Sequence, residues 1–156
     1  MKNVYLIFLL FVLTFPKIAQ SQNCTPIATS DLRRMLGELG YEVKDLNTVQ
    51  GTEKYEIKVM APGFEVPMGI EISPNKAYVW FSVLLGKAFD ESSPKNMALL
   101  KRNAVIQPHH FYVSEKGSLM MAIALENKCV TNFALKKFSD ALAAKVSESK
   151  VYWQQN

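Results

Sequence analysis

Both histidines of this chain stand side by side, His109 and His110, within the stretch QPHHFYVSEKGSLMMAIAL. An imidazole pair can bind a metal ion, move a proton or do neither, and its surroundings decide which. In an extended segment adjacent residues project to opposite faces, so the two rings do not converge on one ion. Zinc needs three protein ligands in a catalytic site and four in a structural one. Neither an HExxH pattern nor a compact Cys/His cluster supplies them, so no metal and no other cofactor is expected. Either ring alone can still serve as a base, and a small envelope hydrolase using His109 or His110 is the enzymatic alternative. Nucleophile elbows of the form G-x-S-x-G, P-loops and dinucleotide fingerprints are absent. Glu53, Glu56, Glu65 and Glu71 fall at outward or strand-end positions, where a solvated acid is the ordinary role. The histidine pair, following Pro108, reads as the start of an edge strand, and no catalytic residue is assigned.

The cysteines are the other reactive pair, and their chemistry depends on compartment. The chain opens MKNVYLIFLLFVLTFPKIAQSQ: one lysine, an apolar run from Val4 to Phe15, then small and polar residues around Ala19 and Ser21. That is the layout of a secretory signal peptide, residues 1–21, and the run is shorter than the ~20 apolar residues of a membrane helix. The mature chain is expected to be exported, periplasmic or secreted, with no transmembrane span. Ser21, Gln22 and Asn23 do not suit lipid attachment at Cys24, and Asn23, Cys24 and Thr25 match a glycosylation acceptor that matters only in a eukaryotic pathway. Export favours a disulfide between Cys24 and Cys129 over two free thiols. Closing a loop of about 100 residues, such a bond contributes at most roughly 4–5 kcal/mol in the chain-entropy model.

Charge excludes one class of partner. Lys2 and Lys17 belong to the signal, so the formal charge of +4 falls to +2 in the mature chain. The basic pairs Arg33-Arg34, Lys101-Arg102 and Lys136-Lys137 are separated by acidic or apolar residues. They read as solvated helix surface, and no nucleic-acid partner is expected.

The elements that position these residues follow from periodicity. In TSDLRRMLGELG, Leu32, Met35, Leu36 and Leu39 recur at helical spacing, with Ser30 placed to cap the start and Gly40 to close the end. EKYEIKVM and VPMGIEIS alternate as half-buried strands around the breakers Pro62 and Gly63. AYVWFSVLL is apolar on both parities. Ser93 and Pro94 start a helix carrying Met97, Leu100 and Ala104 at helical spacing. A hairpin follows, Phe111 and Val113 on one arm and Leu119, Met121, Ile123 and Leu125 on the other. A last helix from Thr131 to Ser149 presents Leu135, Phe138, Leu142 and Val146. The expected fold is α+β in the order α-β-β-β-α-β-β-α, an antiparallel five-stranded sheet with helices packed on it. Residues 22–28 form a leader and residues 29–153 a single domain.

One feature exceeds the needs of a core. Tyr78, Trp80, Leu84, Tyr112 and Met120 take the parity opposite to the core residues of their strands. Aromatics and methionine are enriched where proteins meet. Either a protein or peptide partner covers them, or another element of the chain does, such as a second helix layer or the tail carrying Trp153.

The segments LGELGYEV, GIEISPNKAYVWF, LLKRNAVI and HHFYVSEKGSLMMAIALEN, followed by a long helix, resemble the YbjN-like family, whose fold is that of type III secretion chaperones. The likeness spans about residues 29–153, and its motifs are dispersed and structural. It implies a small α+β domain, often dimeric, that binds proteins and carries no catalytic residues. The family's two leucines and asparagine correspond to Leu99, Leu100 and Asn103, and Asn103 suits a structural cap that satisfies backbone groups near a helix end. Secretion chaperones are cytoplasmic and acidic, unlike a slightly basic chain with an export signal. The reading is therefore an exported, non-enzymatic protein- or peptide-binding module of a bacterial cell envelope, a homodimer, with a structural adaptor of an envelope assembly as the other non-enzymatic alternative.

Overall fold

The computed structural model describes residues 24–154, so the signal peptide read at residues 1–21 lies outside the described residues. The chain forms α1 (Thr29–Glu38), β1 (Lys44–Asn47), β2 (Lys54–Ala61), β3 (Phe64–Ile72), β4 (Tyr78–Lys87), α2 (Pro94–Ile106), β5 (His110–Val113), β6 (Ser118–Glu126), α3 (Asn132–Glu148) and a short α4 (Lys150–Trp153). All strands pair antiparallel in the order β1-β2-β3-β4-β6-β5.

The α+β class is the expected one, but the sheet has six strands where the sequence pattern predicts five. The additional strand, β1, is the polar KDLN, largely exposed and paired only with β2. With one apolar residue and no buried face, it carries none of the period-2 signal by which a strand is recognised. Backbone pairing with β2 places it, together with polar contacts of Asp45 to Arg33, Lys44 to Glu56 and Asn47 to Thr52.

Alternation on the other strands builds one core face. Ile57, Met68, Ile70, Phe81 and Met121 are fully buried there against Leu32 and Leu36 of α1 and Leu135 and Leu142 of α3. Phe138 lies at the border of this layer, its ring 6.0 Å from that of Phe81. Helix α1 begins one residue ahead of its expected cap: Ala28 is the N-cap, and its N–H donates to the Asp31 carboxylate instead of Ser30 capping the turn. Gly40 closes it as expected, at φ +85°, a conformation that favours glycine. The other two long helices are capped by Ser93, accepting from Lys95 N–H, and Thr131, accepting from Ala134 N–H.

Helix α2 faces differently from what its spacing suggests. Leu99 and Ile106 are buried, while Met97, Leu100, Ala104 and Val105 face solvent. The helix runs along the free edge of β5, where a polar residue makes the contact. The Asn103 side chain donates to the Phe111 carbonyl at 3.0 Å and accepts from the Phe111 N–H at 2.7 Å. The backbone it satisfies is thus that of the neighbouring strand and not the end of its own helix. One amide stands in for a seventh strand at that point and blunts the sheet edge.

Asn127 does the same for the leader. Only 2% exposed, it accepts from Ile27 N–H and donates to the Ile27 and Lys76 carbonyls. Nearby, a disulfide joins Cys24 to Cys129 with their Cα atoms 4.8 Å apart. Residues 24–28 are therefore fastened to the domain, and a sulfur so bonded carries no lipid. Among the described residues no helix is long and apolar enough to cross a membrane.

The tail folds onto the helical side. Trp153 donates its indole N–H to the Val146 carbonyl at 2.9 Å, and Tyr152 packs with it against the core. Neither it nor any described helix covers the opposite face of the sheet.

Candidate functional site

The uncovered face is assembled by strand parity. On β4 the residues alternating with Val79, Phe81 and Val83 are Tyr78, Trp80, Ser82 and Leu84; on β6 those alternating with Leu119, Met121 and Ile123 are Met120, Ala122 and Ala124. On β5 they are His110 and Tyr112. All five residues singled out from the sequence, Tyr78, Trp80, Leu84, Tyr112 and Met120, thus share this face. Leu84 is 62% exposed and Tyr78 45%.

Register decides which of them meet. Leu84 lies opposite Met120, and Met120 opposite Tyr112, giving one apolar row across three strands. Trp80 lies opposite Ala124, and Ala122 lies between Ser82 and His110. Because β6 offers only methyl groups there, side chains from β4 and β5 touch across it. The rings of Trp80 and His110 approach edge-to-face at 5.9 Å, His110 and Tyr112 at 5.9 Å, and Tyr78 and Trp80 at 6.4 Å. The result is a four-ring ladder over a floor of small residues, separations at which aromatic pairs attract.

Beside the ladder lies a groove of about 590 Å³ bounded by Thr52, Glu71, Pro74, Trp80, His110 and Tyr112. A smaller one, about 210 Å³, lies between α2 and β5 and includes Leu99, Leu100 and Val113. Tyr112 borders both, so it joins the sheet face to the exposed side of α2. The Tyr112 phenol is pushed up from its ordinary range, chiefly by burial and further by the charge of Glu71.

The two histidines separate across the sheet, as strand geometry predicts. His110 sits in the ladder. His109 is 7% exposed on the helical side, its Nδ1 3.1 Å from the Ile106 carbonyl and its Nε2 buried without a hydrogen-bond partner. Because the carbonyl only accepts, Nδ1 carries the proton and Nε2 is bare. Burial holds the His109 pKa below its ordinary value. Neither ring is hydrogen-bonded to a serine or carboxylate among the described residues, and among them no three His, Cys, Asp or Glu side chains gather to hold a metal ion.

The four glutamates read from the sequence each have a polar partner, and of them Glu71 also borders the groove. Glu56, Glu65 and Glu71 pair with Lys44, Lys58 and Lys54 at 3.6, 2.9 and 3.1 Å, and Glu53 accepts from Gly51 N–H in the β1–β2 turn. Sequence reasoning missed the place of His110 in the ladder and the exposed stripe of α2. The alternation of Met120, Ala122 and Ala124 on β6 was the available signal, since small residues on an outward parity mark a place where larger neighbours close over.

No protein-family model matches this chain. No curated protein matches it at the level of sequence. Among solved structures it is similar to a chain in the heterodimeric complex ExoU–SpcU from the type III secretion system of Pseudomonas aeruginosa. The match covers 79% of this chain and 98% of that chain, with a TM-score of 0.54 and 16% identity. This is a likeness of fold, and it supports the secretion-chaperone-like architecture that the sequence resemblance implied.

Proposed function

We propose that this is an exported, non-enzymatic module of a bacterial cell envelope that holds a partner protein or peptide on the apolar half of its open sheet face. The observation that carries this reading is the ladder Tyr78–Trp80–His110–Tyr112, flanked by Leu84 and Met120 and left uncovered by the protein's own described helices. Aromatic rings on a rigid sheet give large contact area at little entropic cost, and such residues dominate binding energy in known interfaces.

Three further points support the reading. The fold is shared with a chain that is itself part of a heterodimeric complex. The apolar N-terminal run reads as an export signal, and a disulfide is compatible with an oxidising compartment. The exposed stripe of Met97, Leu100 and Val105 on α2 is a second uncovered apolar surface, and we assign self-association to it.

The test combines light scattering with crosslinking capture of partners from the native envelope. Trp80→Ser with Tyr112→Ser is expected to weaken partner binding at least ~30-fold, the effect of losing two anchor residues, while leaving the mass of the free protein unchanged. Leu100→Asp is expected to shift that mass toward the monomer. Unchanged partners in the double variant would remove the sheet face from consideration.

A further inference from the structure

The groove beside Trp80 brings a carboxylate to the aromatic half of the open face. It is lined by the rings of Trp80, His110 and Tyr112 and by Glu71, the direct cross-strand neighbour of Trp80. Glu71 Oε1 is taken by Lys54 at 3.1 Å, but Oε2 accepts no hydrogen bond from a described residue. Lys54 does not line the groove, because its side chain lies over Gly69, where an added Cβ would come within 2.9 Å of its Cε. The Tyr112 phenol, raised chiefly by burial, is raised further by the charge of Glu71, which lines the same groove.

Elsewhere in the protein, three partly exposed rings are covered by cations. Lys95 lies 4.9 Å from the centre of the Phe89 ring, the Arg102 guanidinium 4.9 Å from Tyr152, and Lys150 5.5 Å from Phe64. Trp80 and Tyr112 carry no such cation from the described residues, although an indole is the strongest cation acceptor among the rings. A carboxylate oxygen free to accept, two π faces and room for a side chain together match a planar, donating cation better than an apolar group. Guanidinium in particular stacks on aromatic faces while donating to a carboxylate in its own plane.

We infer that this groove is a pocket for a basic side chain of the bound polypeptide, an arginine, stacked on Trp80 and Tyr112 and hydrogen-bonded to the free oxygen of Glu71. The assignment rests on the open face being a polypeptide-binding surface, and it specifies the partner: a segment with arginine flanked by apolar residues that lie along Leu84 and Met120.

The test is a titration of the protein with Nα-acetyl-arginine amide and with Nα-acetyl-citrulline amide, which keeps the planar shape without the charge. NMR shifts of the Trp80 indole and the Tyr112 and His110 rings report occupancy. Saturable shifts with arginine, and binding of citrulline weaker by roughly 3- to 30-fold, are expected from the size of a cation–π contact. Glu71→Gln and Trp80→Leu are each expected to reduce that preference; Trp80→Leu keeps apolar volume and so separates loss of the π face from loss of fold. Equal response to the two amides, or none to either, overturns the cation pocket. If the Trp80→Ser, Tyr112→Ser double variant still loses its envelope partner in that case, the binding face stands without it. If the double variant keeps its partner, the face itself falls.

Discussion

The open side of the sheet is two surfaces joined at β3. Across β1, β2 and β3 it carries Lys44, Lys54, Lys58, Glu56, Glu65 and Glu71, each charge paired with one of the other sign on the neighbouring strand. Across β4, β6 and β5 it carries the ring ladder with Leu84 and Met120. Both halves face solvent, both stand on the same core, and the backbone beneath them is the same antiparallel ladder. Apart from the free Glu71 oxygen at its border and the exposed Met60, the charged half pairs its own side chains. The aromatic half satisfies its geometry but not its solvation, since dispersion between rings does not remove their outer faces from water. Water contact that one half accepts at no cost is, for the other, free energy available to a partner.

The largest effect tests whether that contrast is one of solvation and not of folding. Phe81 and Trp80 are neighbours on β4 that point to opposite sides; Phe81 is fully buried and Trp80 only partly. Phe81→Ala is expected to cost about 3–5 kcal/mol of stability in chemical denaturation. Trp80→Ser is expected to cost clearly less, because part of the indole is exposed and its ring contacts are with Tyr78 and His110 on the same open face. Comparable losses from the two would mean that the aromatic half is core, covered in solution by the protein itself.

Next in size is the boundary of the aromatic half. β5 holds His110 and Tyr112 in place, and its outer edge is pinned by the two hydrogen bonds from Asn103. Asn103→Leu keeps the volume and strands the Phe111 N–H and carbonyl, an expected loss of about 1–3 kcal/mol. Amide exchange at Phe111 is expected to rise more than exchange in β2. A rise of equal size in both strands would show that Asn103 supports the fold as a whole instead of this edge.

How far the sequence discloses this arrangement depends on what carries each part of it. The core face was legible because Ile57 sits in a strict apolar–polar alternation and Phe81 and Met121 fall on one parity of strands whose apolar residues continue on both, and period 2 follows from the pleat itself. The five residues of the aromatic half were legible for the same reason, by opposite parity. β1 was not, because KDLN gains its place from backbone bonds and from surface polar contacts such as Asp45 with Arg33, neither of which produces an apolar alternation. The orientation of α2 was not, because Met97, Leu100 and Ala104 make as good a helical stripe as Leu99 and Ile106, and the decisive contact is made by polar Asn103. The ladder was not, since Trp80 reaches His110 only because β6 lies between β4 and β5 and presents Ala122 and Ala124 there. Strand order and register are tertiary facts, and local pattern does not encode them.

Of the two histidines, His109 gives a smaller effect, on the closed side of the sheet. His109 is buried neutral, with Lys145 disfavouring its charged form and Glu148, itself paired with Lys145 and Arg102, favouring it; His110 also disfavours it. Its folded pKa lies below that of the unfolded chain, near 6.5. Between those values the unfolded chain binds more protons, so stability is full above about pH 6.5 and declines as pH falls toward the folded pKa, at no more than about 1.4 kcal/mol per pH unit. The carboxylates held low in the folded state, Glu38, Glu53 and Glu148, act further down the scale. His109→Phe is expected to flatten denaturation midpoints between about pH 6.5 and 5. An unchanged slope would remove His109 as its source.

The smallest expected effect is on the charged half, and it is informative because it is small. Lys58 and Glu65 pair at 2.9 Å across β2 and β3 with both side chains about half exposed. Exchanging them, Lys58→Glu with Glu65→Lys, preserves the attraction and reverses its direction. Solvent screening limits such a pair to about 0–1 kcal/mol, so the exchange is expected to move stability by less than about 0.5 kcal/mol. Partner capture is expected to be unchanged, since this row lies away from Trp80 and Tyr112. Loss of capture would extend the contact across β3 and make the whole face one surface. In that event the pairing of Lys54 with Glu71, the row where the two halves meet, would belong to recognition and not merely to its border.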